Sequence, residues 1–170
     1  MPAFDLCGTV RRPNSMGMDD WKKNLVEDDA GLAELLRGTR RVAVLGIKTE
    51  AAAGQPAYEV PRFLAGEGVE IVPVPVYYPD ATEILGRPVH RKVADVPGPI
   101  DVVDVFRRPQ DVLGHLDDLL AKRPRAVWLQ LGIRNDEAAE RLARAGILVV
   151  QDRCMKIDWR RLGPFPRADG

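Results

Sequence analysis

Arg41-Val42-Ala43-Val44-Leu45-Gly46-Ile47-Lys48 decides the fold. Its unbroken apolar run suits a strand buried on both faces, and it stops at a glycine. A polar loop follows, Thr49 to Gln55, and meets Pro56, a residue suited to the first turn of a helix. Strand, glycine turn and helix start together form a cradle for an anion. The first N–H groups of a helix lack partners and carry the positive end of its dipole. The same stretch also fits an ordinary strand–helix unit with nothing bound.

Working outward, the alternation continues. A helix is expected over about 57–65, with Val60 and Leu64 facing the core. Pro61 interrupts it, so the helix either starts late, near Val60, or is kinked. Val69–Val74 reads as strand two. The Pro- and Gly-rich segment 75–99 should be irregular, with a small strand or turn near Val89. Ile100–Phe106 is strand three, broken by Asp101 and Asp104. Pro109 opens a helix to about Ala121, Arg125–Leu131 is strand four, Asn135 caps a helix ending at Gly146, and Ile147–Val150 is strand five. Before strand one, Trp21, Leu25, Leu32, Leu35 and Leu36 keep helical spacing, with Asp28 or Asp29 as cap and Gly38 as stop. This pattern predicts an α/β fold: a Rossmann-like, doubly wound, mainly parallel five-stranded sheet with helices on both faces.

The 170 residues fit one domain, and 45% hydrophobic content supplies a core. Basic and acidic residues balance at 25 each, which argues against a nucleic-acid or membrane-surface binder. No apolar run approaches the roughly 20 residues of a membrane span, and no secretory signal pattern is present. Two cysteines, Cys7 and Cys154, make no disulfide framework, so a reduced, cytoplasmic setting is expected.

Ligands of open α/β sheets bind at the carboxyl ends of the strands. Here those ends carry Gly46-Ile47-Lys48, Pro75-Val76-Tyr77-Tyr78, Phe106-Arg107-Arg108, Gln130-Leu131-Gly132-Ile133 and Gln151-Asp152-Arg153-Cys154. The dinucleotide fingerprint fails: Lys48 and Ala51 stand where its second and third glycines belong, and strand two ends in Pro75-Val76 without a carboxylate. Lys48, Arg107, Arg108, Arg134 and Arg153 suit a ligand richer in phosphate.

Four segments together carry a family resemblance: Arg41–Gly46, Val105-Phe-Arg-Arg108, Ala126-Val-Trp-Leu-Gln-Leu-Gly-Ile133 and Asp152-Arg-Cys-Met-Lys-Ile157. Over about 39–162 the chain resembles the small coenzyme A-binding proteins, which are similar to the coenzyme A-binding domain of the succinyl-CoA synthetase α subunit. The resemblance implies non-covalent binding of coenzyme A (CoA) or acyl-CoA. Gly46, Ile47 and Lys48 would line the diphosphate loop, and Pro75, Val76 and Tyr77 would lie by the adenosine. Val105, Phe106 and Arg107 would flank the adenine or pantetheine arm, and Gln130, Gly132 and Ile133 would close the far side. The family's Pro-Val-Asn-Pro run after strand two is here Pro73-Val74-Pro75-Val76, without the amide. The related synthetases phosphorylate a histidine in a second domain and use a nucleotide-grasping subunit, for which this chain has no room. On this reading residues 1–17 are a flexible tail, 18–38 a helical segment packed on the domain, and 39–170 the CoA-binding domain. It acts as a binding module without catalytic residues of its own, with CoA as its small-molecule partner and a partner protein or a second copy as further company. The alternatives are an NAD(P)-dependent oxidoreductase and a ligand-free regulatory protein on a Rossmann scaffold.

Cys154 lies between Arg153 and Lys156. It is either a structural thiol or one able to exchange with a thiol cofactor. No zinc spacing is present, so no metal is expected. Asp101 and Asp104 read as turn or capping residues before a carboxylate pair, and His115 reads as a surface or interface residue.

Overall fold

The computed structural model describes residues 19–166. Five parallel strands form the sheet: β1 (Arg41–Leu45), β2 (Glu70–Val74), β5 (Val102–Val105), β6 (Ala126–Leu129) and β7 (Leu148–Val150), in the order β2-β1-β5-β6-β7. β3 (Glu83–Ile84) and β4 (Arg87–Pro88) form a separate antiparallel hairpin in the irregular segment. The expected Rossmann-like architecture is therefore present, with every strand of the main sheet parallel.

Side chains alternate between two apolar layers. Ala43, Leu45, Val103, Val105, Val127 and Leu129 meet α3 (Leu116–Lys122) and α4 (Asp136–Arg144). Val42, Val44, Val102, Ala126 and Trp128 meet α1 (Asp29–Arg37), α2 (Pro56–Gly66) and α5 (Met155–Leu162). Asp28 and Asn135 cap α1 and α4, accepting from Gly31 N and Ala138 N. Ahead of α1 the described residues make a 3₁₀ turn, Asp20–Asn24, and Leu25 bridges to Val149 at the β7 edge. Residues 1–17 lie outside the described residues.

α2 runs Pro56–Gly66, close to the expected 57–65, and holds Pro61 inside it, so of the two alternatives the late start is the one that fails. Two local expectations change. Strand three is shorter than expected, Val102–Val105, because Asp101 caps the start of β1 through the Arg40 and Arg41 N–H groups. The helix after Pro109 runs as 3₁₀ through His115 and becomes α-helical only at Leu116, just past the weak helix former Gly114. Pro73 is tolerated because β2 is an edge strand.

Candidate functional site

The chain leaves β1 for β2 on one side and returns to β5 on the other, so the switch point lies between the ends of β1 and β5. Gly46 stands there at φ +87°. Its N–H donates to Val74 O at 2.9 Å, and a Cβ at this position would run into the Phe106 carbonyl oxygen. The glycine is thus required by backbone conformation and by close approach alike. Ile47 turns into the core at 1% exposure, leaving its backbone as the part able to face a ligand. Lys48 is partly exposed, and its Nζ donates to Gln55 Oε1 at 2.5 Å. Gly54 N donates to Glu59 Oε1 at 2.9 Å, and this bond, ahead of the Arg62 guanidinium, holds the Glu59 carboxyl below its ordinary range. A phosphate at the start of α2 therefore meets a carboxylate already seated there.

A cleft of about 790 Å³ opens beside the switch point, between Leu45, Pro75 and Val76 on one side and Gly114, His115 and Asp118 on the other. Arg91, Lys92, Asp95 and Asp117 add charge to its lining, whereas Gly46, Lys48, Arg107 and Gln130 lie outside it. Pro75 is buried, and Tyr77, two residues on, is 60% exposed. Arg107 spans this region: Nε donates to His115 Nε2 at 3.1 Å, Nη2 lies 3.5 Å from Asp111 Oδ2, and the guanidinium stands 5.6 Å over the Tyr77 ring. Arg107 also lowers the Tyr77 phenol's pKa, first through a hydrogen bond and then through its charge. Burial and then the Arg107 charge lower the His115 pKa. The neutral imidazole accepts from the guanidinium. Nothing in the sequence signals this pairing: His115 lies eight positions after Arg107, at the end of a 3₁₀ segment.

The far side is built by bonds among the motif residues. Ile133 N donates to Gln130 O at 2.8 Å, Gly132 N to Asp152 Oδ1 at 2.6 Å, and Asp152 N to Ile133 O at 3.1 Å. Gly132 and Asp152 both hold positive φ. Gln130 is 3% exposed and its Nε2 donates to Asp104 Oδ1 at 2.7 Å. Val105 lies wholly in the core and Phe106 is half-buried above it.

Other candidates serve the scaffold. Arg153 grips Asp158 with both Nε (2.6 Å) and Nη2 (2.9 Å), while its carbonyl accepts from Trp128 Nε1. Arg134 pairs with Asp136, and Arg108 with Asp111. Cys154 is a partly buried free thiol at the N-cap of α5, packed against the apolar layer of α1, α2 and α5. Asp101 and Asp104 form no pair, since one caps the amino edge and the other sits inside the sheet. Among the described residues no helix is long and apolar enough to cross a membrane.

The model of the CoA binding domain matches residues 40–160, which include the glycine turn, the cleft and the motif loops. The chain belongs to that family. Within the CoA-binding domain family it is similar to the uncharacterized protein YneT of Bacillus subtilis (strain 168), with 31% identity over 128 residues, 75% of this chain and 91% of YneT. A Thermus thermophilus protein, cell-free ID.343, matches with 37% identity and a TM-score of 0.73, covering 81% of this chain and all of its own. The acetyl-coenzyme A synthetase 1 of Ca. Korarchaeum cryptofilum matches at 25% identity and a TM-score of 0.56. That match covers 68% of this chain and 26% of the enzyme.

Proposed function

We propose that this protein binds CoA or acyl-CoA without a covalent bond, at the carboxyl ends of β1, β2, β5 and β6. The observation that carries this reading is the fusion of the β1 and β5 ends at Gly46 and Phe106 beside an open cleft. On this reading the Gly46–Lys48 backbone, which follows Leu45 of the cleft, and the Arg107 side chain, bonded to His115 of the cleft, meet one ligand. Lys48 and Arg107 supply the phosphate contacts, Pro75, Val76 and Tyr77 an apolar wall for the adenosine, and Gln130–Ile133 the opposite wall. Gly46 with its neighbours, Phe106 and Val105 contribute backbone and packing more than side-chain contacts. The proposed setting is the cytoplasm, and the role is that of a binding module. Group-transfer chemistry belongs to a partner protein.

The test is the thermal midpoint with CoA, acetyl-CoA, dephospho-CoA, NAD and NADP under reducing conditions. A ligand at a hundred times its dissociation constant adds about 2.7 kcal/mol, a rise of roughly 5–11 °C for this size. A rise with CoA and acetyl-CoA alone supports the reading. A rise with NAD or NADP alone replaces it with the oxidoreductase reading, and no rise with any of them favours a ligand-free regulatory role.

A further inference from the structure

Asp104 is completely buried in β5, beside Val44 of β1 and Trp128 of β6. By strand alternation its carboxyl shares the layer of Val102, beneath α1, α2 and α5. Gln130 follows Trp128 by two residues, on the same face and one step nearer the carboxyl edge. The bond from Gln130 Nε2 therefore joins the buried acid to the first residue of the Gln130–Ile133 loop, itself 3% exposed. Asp104 Oδ2 has no hydrogen-bond partner among the described residues. A buried carboxyl with an orphaned oxygen calls for an explanation beyond packing. Among the described residues no charged side chain acts on it. Burial raises the pKa of Asp104 to about 7, and the Gln130 amide opposes the rise. Gln130 Oε1, the other end of that amide, takes no hydrogen bond from the described residues and is not among their fully buried unpartnered atoms, as Asp104 Oδ2 is.

We infer that Asp104 is a positioning residue whose ionisation decides which end of the Gln130 amide is turned toward the ligand. The inference deepens the CoA reading and rests on it. An ionised carboxylate only accepts, so it holds the amide nitrogen inward and leaves Oε1 outward as an acceptor. A protonated Asp104 has an O–H to donate. The amide then turns over, Oε1 accepts that O–H, and the NH₂ group faces outward. One proton converts the outward end of the amide from an acceptor to a donor. With Asp104 ionised, the group recognised is a ligand N–H, and CoA carries an adenine amino group and two pantetheine amides.

The test compares dephospho-CoA affinity by calorimetry from pH 5.5 to 8.5 in the wild type and in Asp104→Asn. Dephospho-CoA has no phosphate monoester to titrate in that window. The substitution keeps an acceptor for Gln130 and removes the titration. The wild type should bind about three- to tenfold more tightly at the alkaline end, the worth of one hydrogen bond. Asp104→Asn should lose that dependence. Carbon NMR of the wild-type Asp104 carboxyl gives a readout that needs no variant: a midpoint near neutral that falls when ligand is bound. Parallel pH profiles in the two proteins overturn the inference, as does a carboxyl that titrates in the ordinary Asp range or is unmoved by ligand. Absence of binding at every pH removes the CoA reading itself, and this inference with it.

Discussion

The Lys48 N–H donates to the Ala57 carbonyl at 3.1 Å, the carbonyl that Pro61, lacking an N–H, leaves without its usual helix partner. The proline that disrupts the helical pattern in the sequence thus frees an acceptor in α2 that anchors the β1 loop. Lys48 should show slow amide exchange despite its loop position. Pro61→Ala supplies a competing N–H and should speed that exchange while changing stability by no more than about 1 kcal/mol. Hydrogen-exchange NMR checks this; equal exchange rates in the two proteins would detach Pro61 from the loop.

Gly46 combines positive φ with a backbone obstacle, the Phe106 carbonyl. A backbone atom cannot move aside as the end of a flexible side chain does. Gly46→Ala should therefore cost about 2 kcal/mol or more and weaken CoA binding with it. Gly54, also at positive φ but with open space around it, separates strain from clash. Gly54→Ala should destabilise less, and chemical denaturation of both variants provides the comparison.

Acid acts on His115 and Asp104 in opposite directions. The folded-state pKa of His115 is depressed, so the unfolded chain takes up a proton first as pH falls. Its contribution to stability is present above the ordinary histidine value near 6.5 and is lost below it. For Asp104 the folded-state pKa is raised from 3.8 to about 7, so the native state keeps a proton the unfolded state has released. That stabilisation is full below the unfolded value and is lost as pH rises through about 7, a swing on the order of 4 kcal/mol. Asp104→Asn should therefore raise the melting temperature most at pH 8 and least at pH 5. His115→Gln should flatten the fall in stability between pH 7 and 5. Melting curves across pH in both variants measure each effect separately.

Glu59 occupies the Gly54 N–H at the start of α2, where the proposed diphosphate would lie. Removing its charge should favour an anion. Glu59→Gln is expected to tighten CoA binding roughly two- to fivefold at low salt, with the gain shrinking as salt is added. Calorimetry at two ionic strengths checks it, and unchanged or weaker binding would move the phosphates away from α2.

The sheet was legible because its strands are short apolar runs set between glycines and prolines, and Asp28 and Asn135 announce their helices through ordinary capping chemistry. The loops Gly46–Lys48 and Gln130–Ile133 were legible as strand ends. What they touch was not. Arg107 meeting His115 depends on a 3₁₀ segment that the helical pattern from Pro109 conceals. Arg153 looked available for phosphate, yet Asp158 takes its guanidinium, because α5 folds back beneath it. Asp104 resembled a turn residue, since nothing in a four-residue strand shows that its neighbours bury it on every side.

The central claim, that CoA sits across the carboxyl ends of the strands, is tested most directly by amide chemical-shift mapping as CoA is added. The account predicts that the largest changes fall on Gly46, Ile47, Lys48, Val76, Tyr77, Phe106, Arg107, Gln130, Gly132 and Ile133, with Arg40, Arg41 and Asp101 at the opposite edge unmoved. Changes centred on that opposite edge, or none at saturating CoA, would contradict it.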